Sequence, residues 1–336
     1  IDGLILLLPL KVYPIFLINM IIEYLFYIFL VATVIQLLYH VLIFIRIWFY
    51  KQSEHVNYKP VSVILSSKNQ LNNLRSNLIH FLNQDYPEFE IIVINDASSD
   101  GTDDYLEELE KKYGHLKVVT NTFQENDRFN KGKKFGITLA IKSATHDTLL
   151  FSDADSYPSS NQWIKKMQAS FSSKKQIVLA YSRLEKRKGL LNRLLRYESL
   201  YEGLLSFSCT LCGFPLLAQR RNLGYDRALF FSINGFFSHL NLSRGEAKLF
   251  VDEASNSRNT NVCLSPEGMT LSNKQKSYLE WFSDKRSYFH LAKRLRFSSL
   301  MLLRMNFFSQ FSFWMLFPIL LIYQIDTHLV LLVFTL

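Results

Sequence analysis

Two carboxylates separated by a single residue, Asp153 and Asp155, are the side chains in this sequence best suited to chemistry. In an extended segment both project to the same side of the chain, and carboxylates in one small region repel each other unless a cation joins them. Their hard oxygens suit Mg²⁺ or Mn²⁺, which proteins hold through one or two carboxylates together with substrate phosphates. A solvated acidic turn is the alternative, and the surrounding elements decide between the two.

Alternating strands and helices surround this pair. The strand-forming runs are continuous and rich in β-branched residues and leucine, as expected for strands covered on both faces. In chain order the sequence predicts strands at residues 61–65, 91–94, 117–119 and 148–151 and helices at residues 71–83, 104–113 and 135–143. This alternation predicts an α/β domain with a mostly parallel sheet, whose ligands lie at the carboxyl ends of the strands.

Polar side chains follow the predicted strands at that edge. Ser66 and Asn69 come after the first strand, Asp96 closes the second, and Asp153 comes after the fourth. Lys133 precedes the third helix, where a lysine beside a helix N-terminus suits an anionic ligand, although a solvated run of charges has the same local sequence. The convergence at one edge favours a ligand site over a solvated acidic turn.

Apolar residues are concentrated at the two ends of the chain. Residues 24–45 are almost wholly apolar and cover roughly 33 Å as a helix, about the thickness of a bilayer core. Arg46 and Lys51 follow, so the positive-inside rule predicts an inner-membrane protein whose middle part faces the cytoplasm. Residues 307–323 form a second apolar run. The net charge of +9 suits anionic lipids and diphosphates, and without a recognisable nucleic-acid module we expect no nucleic-acid partner.

These patterns predict four segments. They are an N-terminal membrane segment at residues 1–50, a cytoplasmic domain at residues 51–277, basic amphipathic helices at residues 278–304 and a C-terminal membrane segment at residues 305–336. Basic helices with aromatic residues suit the headgroup layer of a membrane, and packing against the domain is the alternative. Because the sequence starts without Met and ends inside an apolar run, we expect the protein to extend beyond both ends.

The motifs, in this order, resemble the family 2 glycosyltransferases of the membrane-anchored bacterial type, over residues 60–286 or so. The segments with this resemblance are residues 61–69, 84–87, 90–96, 98–102, 132–133 and 151–155. The resemblance implies the glycosyltransferase A-type (GT-A) fold, a Rossmann-like, mostly parallel sheet with flanking helices, between N- and C-terminal transmembrane helices. It also implies that the donor substrate is a nucleotide diphosphate sugar.

The resemblance gives roles to the polar residues at the strand ends. It implies that Asp96 contacts the base or ribose, that Lys133 lies near the diphosphate, and that Asp153 and Asp155 hold Mg²⁺ or Mn²⁺, Asp155 more directly. The full set of nucleotide-sugar-binding residues that we expect is Ser66, Asn69, Asp96, Lys133 and Asp153.

The resemblance also implies a general base for the acceptor hydroxyl at the head of a helix, where this chain has Glu246. The family pattern has an Asp there and further acids after it, whereas this chain continues with Ala247 and Lys248. Gln70 stands where the family usually has Glu, and Asp284 lies near the place of a Q-x-x-R-W motif that is not intact. We therefore expect an inverting, metal-dependent, non-processive transferase; the alternative is a weakened or inactive member that binds nucleotide-sugar or a partner.

The acceptor side is less defined. Residues 220–222 and 235–237 resemble the acceptor-side region of the family, without an assigned contact. If the basic amphipathic helices lie at the membrane surface, the acceptor is a lipid-linked or membrane-proximal glycan.

Overall fold

The computed structural model describes residues 8–121, 132–240, 242 and 245–323. Its contacts divide the chain into two compact units, one from the described parts of residues 1–45 and 297–336 and the other from residues 46–296. The α-helices in the described part of the chain are α1 Leu8–Leu38, α2 Arg46–Phe49, α3 Leu71–Leu82, α4 Thr102–Lys112, α5 Gly132–Ser143, α6 Trp163–Gln168, α7 Leu190–Leu211, α8 Arg227–Ser232, α9 Glu246–Ala254, α10 Tyr278–Ala292 and α11 Phe297–Ile322, and a π-helix at Tyr39–Phe44 continues α1. The strands are β1 Val61–Ser67, β2 Phe89–Asp96, β3 Leu116–Asn121, β4 Thr148–Asp153, β5 Ser156–Pro158, β6 Ile177–Ala180, β7 Ser182–Leu184, β8 Leu223–Asp226, β9 Thr260–Cys263 and β10 Thr270–Ser272.

The unit that contains both ends is a pair of long helices. In the described part of the chain, Met20–Phe49 and Phe297–Ile322 are long and apolar enough to cross a membrane, judged by length and composition. Phe29 of α1 stacks on Phe313 of α11 with ring centroids 5.2 Å apart. The Tyr39 hydroxyl donates a 2.7 Å hydrogen bond to the Leu302 carbonyl. Residues 324–336, where the sequence predicts the remainder of the C-terminal membrane segment, lie outside the described residues.

The other unit is built on a sheet of seven strands among the described residues, in the order β3-β2-β1-β4-β8-β6-β9. Strand β8 is antiparallel to β4 and to β6, and every other neighbouring pair is parallel. The register pairs Ser66 with Ile94 on one side and with Asp153 on the other. The predicted α/β class is therefore confirmed, and the polar ends of β1, β2 and β4 meet at one edge.

Two apolar layers cover the two faces of this sheet. Ile64 and Ile92 belong to one layer, and Val63 and Val93 belong to the other, since alternate residues of a strand face opposite sides. Helices α5 and α9 contribute to the first layer, and helices α3, α4 and α6 contribute to the second. All four strand residues are buried, which explains why these strands are continuously apolar in the sequence.

A small sheet in the order β5-β10-β7 holds the segment after β4. The backbone N–H of Ala154 donates to the Ser66 carbonyl at 3.1 Å, and the backbone N–H of Asn273 donates to the Asp155 carbonyl at 3.0 Å. The turn that contains the two predicted metal ligands is thus fixed between the end of β1 and the end of β10.

The predicted amphipathic segment at residues 278–304 is divided in the structure. Helix α10 ends at Ala292, and α11 begins at Phe297. The Ser277 side chain and the Glu280 side chain form a reciprocal capping box at the start of α10, which satisfies backbone donors that a helix N-terminus otherwise leaves open. The last part of the predicted segment therefore belongs to the long apolar helix.

Candidate functional site

A cavity of about 490 Å³ lies at the carboxyl ends of β1, β2 and β4. Of the predicted site residues, those that line it are Ser66, Asp96, Lys133, Asp153, Asp155 and Glu246. Its volume lies in the range of small-molecule sites. The fold therefore brings together side chains that are up to 180 residues apart, as the difference between positions 66 and 246 shows.

Asn69 has a different place. Its backbone has a positive φ of 51°, its N–H donates to the Ser98 hydroxyl at 2.9 Å, and its side-chain oxygen accepts from the Ser99 N–H at 2.8 Å. It is absent from the described lining of the cavity. Asn69 connects the loop after β1 with the loop after β2, and its predicted contact with a nucleotide stays a prediction.

Asp96 lies at the side of the cavity formed by β2 and β3. Its Oδ1 accepts a 2.6 Å hydrogen bond from the Asn121 amide, and its Oδ2 is 4.0 Å from Lys68 Nζ. Lys68 is 47 % exposed, so water screens this ion pair. The asparagine fixes the orientation of the carboxylate at the edge of the pocket.

Asp153 and Asp155 both meet guanidinium groups. Arg221 approaches Asp155 side-on, with Nε 3.0 Å from Oδ1 and Nη2 3.2 Å from Oδ2. Arg220 contacts Asp153 through Nη2. The same arginine places Nε 2.9 Å from Glu246 Oε1 and donates from Nη1 to the Ser66 hydroxyl at 2.9 Å. Two consecutive arginines thus bind the predicted metal ligands and the predicted base.

The direction of β8 explains why residues 220–222 reach this edge. Strand β8 runs antiparallel to β4 and pairs Leu223 with Phe151. The residues before β8 therefore lie beside the residues after Phe151, among them Asp153. The Ser152 hydroxyl donates to the Arg221 carbonyl at 2.9 Å, which fixes the two segments against each other.

Asn222 anchors the short helical turn that presents the arginines. It is buried, and its side-chain oxygen accepts a 3.0 Å hydrogen bond from the Trp163 indole. Its amide donates to the Tyr181 and Gly268 carbonyls, both at 2.9 Å. All of these groups are paired, as buried polar groups must be, so the turn has a fixed position.

Lys133 and Glu246 complete the cluster. Lys133 Nζ lies 3.8 Å from Asp153 Oδ1 and 4.0 Å from Glu246 Oε1. Glu246 is the first residue of α9, where the partial positive charge of a helix N-terminus favours a carboxylate. Gly245 before it has a φ of +87°, and a Cβ there would overlap the Leu291 side chain, so only glycine suits this approach of α10 to the start of α9.

The electrostatics of the cluster keep its carboxylates charged. Burial by itself raises the pKa of the Glu246 carboxyl, but the charges of Arg220 and Lys133 outweigh it, and the pKa lies below its ordinary value. The pKa of Asp153 is lowered by the same balance of burial against Arg220 and Lys133. Burial lowers the pKa of Lys133, and Arg220 lowers it further.

A divalent metal at Asp153 and Asp155 would need oxygens that here accept from guanidinium groups. Among the described residues, no group of three or more His, Cys, Asp or Glu side chains forms a candidate metal cluster. An ion bound to Asp155 would lie against Arg221, whose side chain is 26 % exposed. As arranged, these residues do not fit a metal, so the Mg²⁺ or Mn²⁺ expected from the sequence stays a prediction, and no step below runs through it.

Residues 62–231 match the model of the family described as "Glycosyl transferase family 2". The chain belongs to this family. The match covers β1 to α8 and includes the D-x-D turn and both arginines. The resemblance stated from the motifs is therefore confirmed.

Named relatives share a shorter stretch of sequence. The chain is 32 % identical over 104 residues to the poly-beta-1,6-N-acetyl-D-glucosamine synthase of Staphylococcus epidermidis, which is 31 % of this chain and 24 % of that protein. It is 32 % identical over 111 residues to the probable glycosyltransferase YdaM of Bacillus subtilis, 32 % of this chain and 26 % of that protein. The aligned region thus spans about a quarter of the length of these relatives.

A solved structure shares the fold. The mannosyltransferase PcManGT from Pyrobaculum calidifontis, solved in complex with GDP-Man and Mn²⁺, superposes with a TM-score of 0.62 at 16 % identity, covering 89 % of this chain and 85 % of that one. At this identity the likeness concerns the fold alone. It confirms the GT-A architecture expected from the motifs.

In this family 2 member, the contacts of Arg220 and Arg221 with the carboxylates could not be predicted from the sequence. Residues 220–222 resemble the acceptor-side region of the family, but two consecutive basic residues beside an asparagine do not by themselves indicate contacts with the D-x-D carboxylates. The importance of the arginines follows from β8, whose four residues carry no pattern that reveals an antiparallel strand inside a mostly parallel sheet.

Proposed function

We propose that this chain is an inverting, non-processive glycosyltransferase that moves a sugar from a nucleotide diphosphate sugar to an acceptor hydroxyl. The observation that supports this most is one cavity lined by Asp96, Lys133, Asp153 and Glu246 at the sheet edge where α/β folds bind ligands. The name of the Bacillus subtilis relative, a probable glycosyltransferase, also supports sugar transfer.

Glu246 acts as the general base in this proposal. Its carboxylate takes the proton of the acceptor hydroxyl as the acceptor oxygen forms a bond to the anomeric carbon of the donor. The bond from that carbon to the diphosphate oxygen breaks, and its electron pair leaves with the nucleoside diphosphate. The depressed pKa keeps Glu246 ionised at neutral pH, and Lys133 offers positive charge to the leaving group.

The acceptor is a lipid-linked or membrane-proximal glycan in this proposal, and the protein lies in the inner membrane with this domain facing the cytoplasm. Helix α10 supports it, because Leu279 is 83 % exposed and Phe282 and Phe289 are each 63 % exposed. Arg286 on the same helix is exposed and adds positive charge. Exposed aromatic and basic side chains on one helix suit the headgroup layer of a membrane.

The segment near the incomplete Q-x-x-R-W motif supports single-sugar addition. Asp284, at that place, is 2.7 Å from Lys276 Nζ, and Lys285 is 3.0 Å from Glu198. These side chains form ion pairs between α10 and its neighbours within the domain. Residues 284–288, at the approximate place of the processive motif, do not have its glutamine, arginine and tryptophan in the required positions.

The second candidate function is a family member that binds a nucleotide-sugar without turnover. The observation in its favour is the ion pair between Glu246 and Arg220, at 2.9 Å, which reduces the basicity of the carboxylate. In addition Lys248, where the family has an acid, pairs with Glu202. The head of this helix therefore has one carboxylate that is paired with an arginine, and a lysine in place of a further acid.

Donor turnover by the wild type and by Glu246→Gln separates the two functions. For a transferase, Glu246→Gln lowers the rate of sugar release from the donor by about 10²–10⁴-fold, the usual contribution of a general base, and leaves nucleotide affinity in place. Glu253→Gln, in the same helix but 40 % exposed, is the matched control and keeps the wild-type rate. Nucleotide binding without turnover in the wild type would favour the second function instead.

A further inference from the structure

Two guanidinium groups supply positive charge where the family's D-x-D pattern calls for a cation. Asp153, Asp155 and Glu246 bring three negative charges together, and Lys133, Arg220 and Arg221 bring three positive charges, all within the ion-pair distances given above. Without the arginines, Lys133 would be the only cation of the cluster beside three carboxylates, and a divalent ion would make the charges of the cluster equal. The arginines add the same two charges.

The positions of these arginines are set by the fold. Arg220 is 11 % exposed and contacts three partners, namely Asp153, Glu246 and Ser66. The Arg221 carbonyl accepts from the Ser152 and Thr270 hydroxyls at 2.9 and 3.2 Å. Buried ion pairs of this kind are costly to break, because the group left behind stays desolvated without its partner. A metal that competes for Asp153 or Asp155 has to break them.

We propose that Arg220 and Arg221 take the place of a divalent metal in this chain, so that the diphosphate of a nucleotide donor binds to guanidinium groups and does not require a metal. This inference rests on the proposed function. A planar guanidinium suits phosphate oxygens, which it binds through paired N–H groups. Among the described residues, Nη1 of Arg221 has no hydrogen-bond partner, so one donor group is available to a phosphate without loss of the Asp155 contact.

Further cations line the same cavity. Lys274 and Lys276 follow β10 and border the pocket together with Arg221. Burial lowers the pKa of Lys274, and the charge of Arg221 lowers it further. A diphosphate relieves this mutual repulsion among cations, because its negative charge favours the protonated lysine. The pocket wall on the side of Arg221 is therefore suited to a dianionic group.

The test measures nucleotide affinity with and without metal. The full chain in detergent is titrated calorimetrically with UDP, GDP, CDP and dTDP, once in EDTA and once in excess Mn²⁺, and Mn²⁺ alone is titrated as well. We expect the best nucleotide to bind with dissociation constants that agree within about twofold in the two buffers, and no saturable Mn²⁺ binding. A nucleotide that binds only with Mn²⁺ overturns the inference and leaves the proposed function intact. Binding in neither buffer overturns both.

A variant and its control test the arginine itself. Arg221→Met is expected to weaken nucleotide binding in EDTA by about tenfold or more, the usual scale of a hydrogen bond to a charged group. Because Asp155 then loses its partner, Mn²⁺ should restore part of the affinity. Arg258→Met, on an exposed arginine, should bind as the wild type does. Wild-type affinity of Arg221→Met in EDTA contradicts the proposal.

Discussion

The two sides of the cavity hold their carboxylates in different ways. On the β2 side, Asp96 is oriented by an amide, and its cationic neighbour Lys68 is half exposed and 4.0 Å away. On the β4 side, Asp153 meets Arg220 in a contact where both side chains are nearly buried. An exposed ion pair contributes little to stability, whereas removal of one partner from a buried pair leaves a desolvated charge. The β2 side is therefore an open binding edge, and the β4 side is also part of the structural core of the site.

The largest expected effect comes from removal of Arg220. We expect Arg220→Met to reduce the free energy of unfolding by about 3–5 kcal/mol, because Asp153 and Glu246 stay buried after their partner is lost. Thermal unfolding of the full chain in detergent measures it. Lys111→Met, which removes an exposed partner of Glu107, is the control and should leave the melting temperature unchanged. Equal melting temperatures for the two variants would contradict the contrast between the two kinds of ion pair.

The next largest expected effect is the pH dependence of the difference in melting temperature between the wild type and Arg220→Met. In the wild type the pKa of Glu246 lies below its ordinary value of 4.5. A lowered carboxyl pKa contributes stability above pH 4.5 that is lost as the pH falls through the folded-state pKa. In Arg220→Met, the charge that opposed the effect of burial is lost, so the folded-state pKa of Glu246 is higher than in the wild type. Protonation of Glu246 then removes the buried, unpaired charge that destabilises the variant. We expect the gap in melting temperature to be widest at pH 7 and to narrow as the pH falls through the higher folded-state pKa of the variant.

Melting curves of the wild type and Arg220→Met at pH 7, 5 and 4 measure this gap. Asp153 shifts in the same direction as Glu246 and adds to the narrowing. A gap that stays constant from pH 7 to pH 4 would mean that the arginine stabilises the fold through packing rather than through charge.

The smallest expected effect lies on the β2 side. Asp96→Asn keeps the shape of the side chain and removes its charge, so we expect the melting temperature to stay the same. Nucleotide affinity should fall by about tenfold, since a ribose hydroxyl or base N–H no longer donates a hydrogen bond to a charged carboxylate. Calorimetric titration with the best nucleotide measures it, and Asp104→Asn on the exposed face of α4 is the control. Unchanged affinity would remove Asp96 from the predicted nucleotide contacts.

Local sequence determined the first half of the domain closely. The predicted helices at residues 71–83, 104–113 and 135–143 are found as Leu71–Leu82, Thr102–Lys112 and Gly132–Ser143. These helices have apolar stripes with the period of an α-helix, and the strands between them are continuously apolar. Both patterns depend only on residues that are close in the sequence, so they predict the elements without tertiary contacts. The prediction of polar groups at one sheet edge followed directly, because parallel strands that alternate with helices have their carboxyl ends on the same side.

The second half of the domain was determined by tertiary structure. Strands β5 to β10 have three or four residues each, too few to show a pattern, and β8 reverses direction inside the sheet. That reversal places Arg220 and Arg221 beside Asp153 and Asp155. By itself, therefore, the sequence determined the fold class, the acidic turn and the apolar terminal helices. Only the pairing of β8 with β4 decided which cations meet the carboxylates, because that contact depends on strand direction and not on local sequence.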